Sequence, residues 1–285
     1  MSDFIPHAFK PRRCLLLRMI KNIHMRTIYF LVFCCVLIFT SCSKEKNYKK
    51  GFSVSPETKT SENDKNDGIS QDTVPLKTRA NSVLLTGYPE YRLTTIYKLN
   101  YDKKEEYYFT GNNRFYRNYS DLGHSNENQW NYNFMPGLQA IYGYNLVNVS
   151  LKNVETQNQK TLFEKPVLIK TLYIPSFTKD TLFNEPIKRD YYMISAYDDD
   201  TNSDGYINMK DLRKFYVFNI DGGEKESLIP ENYSVISSEY DCANDFMYVF
   251  AQLDENKNGQ GDETEKVHVF WIDLKNPRNN GRQYD

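Results

Sequence analysis

The stretch YYMISAYDDDTNSDGYINMKDLRKFYVFNIDGGEKESLI, residues 191–229, aligns with FMYVFAQLDENKNGQGDETEKVHVFWIDLKNPRNNGRQY, residues 246–284. Asp200 falls on Asp254 and Ile220-Asp221 on Ile272-Asp273, a period of 52–54 residues. Each copy reads as an apolar strand, an acidic loop, a second apolar strand, a polar turn and a short strand. A fainter third copy, YNLVNVSLKNVETQNQKTLF (144–163), lacks the acidic loop.

Outward from the repeat, the same texture covers residues 81–285. Short runs rich in Tyr, Phe, Val, Ile and Leu alternate with Asn, Asp, Gly and Pro. They are TTIYKL (94–99), EEYYFTG (105–111), YNLVNVSL (144–151), VLIKTLYI (167–174), YYMISAY (191–197), KFYVFNI (214–220), DFMYVFAQL (245–253) and VHVFWIDL (267–274). β-Branched and aromatic content marks these as strands, and no long helical periodicity competes. The expectation is one all-β domain over 81–285, long enough to bury a sizeable core.

Within the first loop, DTNSDGYINMKD, oxygen side chains stand at positions 1, 3, 5 and 9: Asp200, Asn202, Asp204 and Asn208. Gly205 stands at position 6, Ile207 at 8 and Asp211 at 12; the Tyr206 carbonyl supplies position 7. Calcium takes six to eight oxygen ligands, and this spacing wraps them around one ion. The second loop, DENKNGQGDETE, offers Asp254, Asn256, Asn258, the Gln260 carbonyl, Asp262 and Glu265, with Gly261 at position 8. The other reading of either loop is a polar turn built from Asp, Asn and Gly. Both strings resemble EF-hand calcium loops, but strands flank them where that family has helices. The resemblance implies Ca2+ bound for structural reasons, offsetting the mutual repulsion of Asp198, Asp199, Asp200 and Asp204.

The N-terminal region reads as an address. Arg26 precedes an apolar run, Ile28–Phe39, followed by Thr40, Ser41 and Cys42. At about 12 residues the run is shorter than the roughly 20 needed to span a bilayer, so it reads as an export signal over 25–41. An uncleaved anchor or a buried segment is the alternative. Residues 1–24 precede a second methionine, Met25, which reads as the true start, so 1–24 read as a mis-called start extension. The ending FTSC resembles the lipobox of bacterial lipoproteins, with Phe39 where that family usually has Leu, Val or Ile. The resemblance implies cleavage before Cys42, lipidation of Cys42 and attachment to a cell-envelope membrane, with the outer membrane expected. Of the five cysteines, only Cys42 and Cys242 would then remain, and Cys242 reads as a turn or packing residue. Residues 42–80, rich in Lys, Ser, Thr, Asn and Asp, read as a disordered tether.

The full chain carries 36 Lys and Arg against 37 Asp and Glu. Residues 1–41 hold six of the former and one of the latter, so the chain from Cys42 onward is near −6. That balance argues against a nucleic-acid partner. The repeats resemble those of TolB-type β-propellers. The matching residues are Phe215–Asp221, Gly222, Gly223, Leu228-Ile229-Pro230 and 233–251, where EYDCAND replaces that family's S-P-D-G turn. The resemblance implies propeller-like blades, about four of which are recognisable here, whereas that family usually has six.

Catalytic signatures are missing from the sequence. There is no G-x-S-x-G, P-loop, dinucleotide fingerprint, H-E-x-x-H or C-x-x-C. Only His124 and His268 lie beyond the signal, too few for a His-rich zinc site or an evident triad. The expectation is a non-enzymatic envelope lipoprotein that binds calcium and contacts an envelope protein. Two alternatives stand beside it. One is a glycan binder using Trp130, Tyr132 and Phe134 in the segment 111–134, which also holds Arg114, Tyr116 and Arg117; the other is a hydrolase with a catalytic set scattered along the chain.

Overall fold

The computed structural model describes residues 51–54, 76–102, 105–111, 113–116 and 135–283. These form twenty strands and no helix. In chain order the strands are β1 (Phe52–Ser53), β2 (Thr78–Leu85), β3 (Tyr91–Lys98), β4 (Asn100–Asp102), β5 (Tyr107–Phe109), β6 (Arg114–Tyr116) and β7 (Leu138–Tyr142). Then come β8 (Leu146–Asn153), β9 (Gln159–Thr161), β10 (Leu168–Pro175), β11 (Asp180–Leu182), β12 (Glu185–Ile187) and β13 (Tyr191–Tyr197). The last are β14 (Tyr206–Ile207), β15 (Lys214–Asn219), β16 (Glu226–Ser227), β17 (Tyr233–Asp241), β18 (Phe246–Leu253), β19 (Val267–Asp273) and β20 (Asn280–Arg282). Each of the eight apolar runs overlaps one of these strands.

Three antiparallel sheets share one design. The first has the order β2-β3-β8-β9 and the third β17-β18-β19-β20. The second contains β10-β13-β15-β16, extended at its β10 edge by β7 and then β6. In all three, the first strand is bulged against the second: between Ala80 and Val83, Ile169 and Thr171, and Val235 and Ser237. In all three, an Asn or Asp closes the last hairpin by accepting the N–H two residues on. These are Asn153 from Glu155 (2.9 Å), Asp221 from Gly223 (2.8 Å) and Asp273 from Lys275 (2.9 Å). The 52–54-residue repeat is thus the recurrence of the last three strands of this unit, and 144–163 is its β8-turn-β9 portion. Among the described residues there are three such units, against about four expected, and no sheet closes on itself.

The burial pattern explains how the sheets stack. Every residue of β13 is buried, so YYMISAY is apolar on both faces. Tyr191 and Met193 face one core cluster with Met247, Val249 and Phe270 of the third sheet. Tyr192, Ile194 and Ala196 face a second cluster with Leu93, Val149 and Leu151 of the first sheet. Phe215 and Val217 of β15 turn to the first of these clusters, Tyr216 and Phe218 to the other. The second sheet is therefore the middle layer of three. In β18, an outer-layer strand, buried and half-buried positions alternate instead. Each fully buried large side chain contributes about 1.5–3 kcal/mol by leaving water.

A buried ion pair joins the middle and third layers. Arg189 and Asp245, both 2% exposed, pair at 2.9 and 2.7 Å. Arg189 also donates to the carbonyls of Pro136 (3.0 Å) and Leu274 (2.6 Å). The Tyr191 hydroxyl donates to the Leu274 carbonyl at 2.7 Å, and that of Tyr240 to Asp245 at 3.2 Å. Burial disfavours the charged guanidinium, but Asp245 outweighs it and the Arg189 pKa moves up.

Ordered structure reaches into the segment 42–80 that composition reads as a tether. Residues 51–54 carry β1, and Phe52 is 5% exposed. Strand β2 begins at Thr78, ahead of the expected boundary at 81, and Leu76 packs against the same cluster as Phe52. The tether reading is corrected for these stretches, where Phe52, Val54 and Leu76 pack against one apolar cluster. The expected extension (1–24), signal (25–41) and lipidated Cys42 lie outside the described residues. No helix among the described residues is long and apolar enough to cross a membrane.

Candidate metal centre

The first acidic loop links β13 to β15, and the second links β18 to β19, so each joins the middle strands of its unit. Their backbones follow the same path. Ser203 and Lys257, both at position 4, have φ of 58°; Gly205 and Gly259, both at position 6, have φ of 84° and 72°. The left-handed conformation at position 6 is where glycine is needed.

The hydrogen bonds of the loops match position by position. At position 1, Asp200 accepts the N–H groups of Asp204 (3.0 Å) and Gly205 (2.8 Å). Asp254 accepts those of Asn258 and Gly259, both at 3.1 Å. At position 3, Asn202 and Asn256 each accept the position-5 N–H at 2.9 Å. At position 5, Asp204 and Asn258 accept the position-7 N–H at 3.0 and 2.8 Å. At position 12, Asp211 accepts from Thr201 (2.9 Å), Asn202 (3.4 Å) and Asn208 (2.8 Å). Glu265 accepts from Glu255 (3.0 Å), Asn256 (3.3 Å) and Asp262 (3.1 Å). Two different sequences thus fold each loop around its own side-chain oxygens.

Position 8 is where they differ. Ile207 is 2% exposed and packs with Phe52, Ile96, Val147, Leu168 and Tyr197. At Gly261 a Cβ would lie 2.8 Å from Gln252 Oε1, the far end of a flexible side chain, so a larger residue there requires Gln252 to shift.

The loops also touch each other. Asp211 forms an antiparallel bridge with Gln260, and the Thr201 hydroxyl donates to the Gly259 carbonyl at 2.6 Å. The same hydroxyl accepts the Leu212 N–H at 2.8 Å. Thr201 carries no signal in the sequence beyond lying at position 2, and its bridging role was not legible there.

Charge is concentrated where a cation would act. Asp211 is 2% exposed, and burial pushes its carboxyl up to about 6 despite the N–H groups it accepts from Asn208, Asn202 and Thr201; Asp200 adds to the rise. Among the described residues no Lys or Arg pairs with it. Asp198 and Asp199, in contrast, have partners outside the loop: the Tyr216 hydroxyl bonds Asp198, and Lys165 meets Asp199 at 3.1 Å. No three His, Cys, Asp or Glu side chains among the described residues gather into a metal cluster of titratable groups alone. The donor sets here differ in kind, drawing on amide and backbone oxygens as well as carboxylates, which is the chemistry of a hard cation.

The other candidate residues are dispersed. Trp130, Tyr132, Phe134, Arg117 and His124 lie outside the described residues. Arg114 and Tyr116 fall on β6, paired with β7. Cys242 is exposed in the turn between β17 and β18, as EYDCAND suggested, and His268 Nδ1 pairs with the Tyr233 hydroxyl at 2.7 Å. No protein-family model matches the chain, and a search of curated proteins found no match.

Proposed function

We propose that this chain is a calcium-binding, membrane-anchored envelope lipoprotein whose blade-like β repeats serve as a non-enzymatic interaction module. The observation that carries the reading is the position-by-position agreement of the two loops in hydrogen bonds and backbone conformation. In the first loop Asp200, Asn202, Asp204, Asn208, Asp211 and the Tyr206 carbonyl would hold the ion. In the second, Asp254, Asn256, Asn258, Asp262, Glu265 and the Gln260 carbonyl would do so. Bound calcium supplies the positive charge that the buried Asp211 lacks. It favours the folded chain by about 2.7 kcal/mol when free calcium is 100 times the dissociation constant.

Anchoring through Cys42 would place the domain at an envelope membrane, expected to be the outer one, with an envelope protein as its partner. The acidic balance supports the absence of nucleic acid from this role. The test is thermal unfolding with and without millimolar calcium. A rise in Tm that Asp200→Ala with Asp204→Ala removes supports the proposal; an unchanged wild-type Tm refutes it.

One observation favours the glycan alternative. Tyr101, Tyr107 and Tyr108 of β4 and β5 are 49%, 46% and 55% exposed, and the rings of Tyr101 and Tyr108 lie 4.9 Å apart. Exposed aromatic faces of this kind stack on sugars. Binding on a glycan array that Tyr108→Ala abolishes would select that reading.

A further inference from the structure

We infer that residues 51–54 are a latch on the first calcium loop, and that latch docking and calcium binding stabilise each other. This rests on the calcium reading above. Among the described residues strand β1 has a single partner strand, β14, which is part of the loop. Phe52 pairs with Ile207 and Ser53 with Tyr206, and the Val54 N–H donates to the Gly205 carbonyl at 3.0 Å. Gly205, Tyr206 and Ile207 are loop positions 6 to 8: the turn glycine, the carbonyl ligand and the inward aliphatic residue. A two-residue strand pair is marginal by itself. Its persistence therefore depends in part on how firmly those three residues are held.

The receiving surface is built for this segment. Gly51 has φ of 109°, and a Cβ there would lie 2.2 Å from the Ile207 carbonyl oxygen. The Gly51 N–H donates to Asn145 Oδ1 at 3.0 Å, and Lys98 Nζ donates to the Gly51 carbonyl at 2.7 Å. Asn145 is 2% exposed and is itself held by Asn100 at 2.6 Å. Phe52 and Ile207 share one apolar cluster with Ile96 and Val147 of the first sheet and Leu168 and Tyr197 of the second. Releasing the latch exposes Phe52 and uncovers Ile207 at the same time. An ion that fixes loop positions 6 to 8 therefore favours the latched state, and by linkage the latch raises affinity for the ion by the same factor.

Hydrogen exchange of the Val54 amide in the full chain, with and without calcium chloride, tests the coupling, alongside calcium titration of wild type and Phe52→Ser. We expect calcium to slow Val54 exchange about tenfold, within the usual range of coupling between sites. Asp200→Ala with Asp204→Ala should abolish that slowing. Phe52→Ser should weaken one of the two calcium sites about tenfold and leave the other unchanged. Calcium binding with unaltered Val54 exchange overturns the latch and leaves the calcium reading standing. No calcium binding to the wild type overturns both. If Phe52→Ser does not fold, the wild-type exchange decides alone.

Discussion

Replacing Asp245 with Ala leaves a buried guanidinium without its counter-charge. Among the described residues it removes the only carboxylate bonded to Arg189, whose side chain is 2% exposed between the middle and third sheets. The guanidinium keeps the carbonyls of Pro136 and Leu274, and Tyr240 loses its acceptor. Removing one member of a buried pair costs about 3–5 kcal/mol, because the remaining charge stays buried and uncompensated. For a domain of this size that lowers Tm by roughly 10 °C. Urea unfolding of Asp245→Ala, Arg189→Met and the double variant measures the effect and the coupling. The double variant, with neither charge buried, should recover much of the loss, since an apolar replacement of a buried pair is often near neutral. A loss below about 0.5 kcal/mol for Asp245→Ala, the range of ordinary surface changes, would refute the reasoning. So would a double variant whose loss is the sum of the two single ones.

Further outcomes follow from the same contacts. Gly259→Val forces a β-branched residue to φ of 72°, with its Cβ 1.9 Å from the Thr201 carbonyl oxygen. It should cost at least about 2 kcal/mol, and calcium titration should show both sites weakened because the loops meet there. Asn148→Ala leaves the Val149 and Phe163 N–H groups and the Phe163 carbonyl without their side-chain partner; denaturant unfolding should show a loss of about 1–3 kcal/mol. Lys165→Ala breaks an ion pair whose side chains are 60% and 72% exposed, so the same assay should show a change of no more than about 1 kcal/mol.

The strands that could be read from the sequence are those whose side chains all lead into a core. YYMISAY and KFYVFNI carry β-branched and aromatic residues on both faces because both faces are covered, and β13 and β15 lie where expected. Strand β2, TRANSVLL, is largely exposed. Its first three residues fall in the segment that reads as tether, and its apolar residues cluster at Val83–Leu85 without alternation. Strand β1 was invisible for a related reason: two residues have no periodicity, and the pairing that holds them lies more than 150 residues away at Ile207. The loops were legible because ligand spacing is a local property. Their contact through Asp211, Gln260 and Thr201, and the Arg189–Asp245 pair, depend on how the sheets stack, which no local pattern encodes. The repeat is legible in its last three strands, while its first strand is too variable in sequence to align.

The most direct test of the central claim is isothermal titration of calcium into residues 47–285, the compact unit that holds every described residue, beside the same chain carrying Asp200→Ala and Asp204→Ala. The account predicts two sites with dissociation constants of about 10⁻⁴–10⁻³ M, the range of extracellular modules, and loss of one site in the variant. The absence of binding heat, together with an unshifted Tm at millimolar calcium, would contradict it and leave both loops as polar connections between strands.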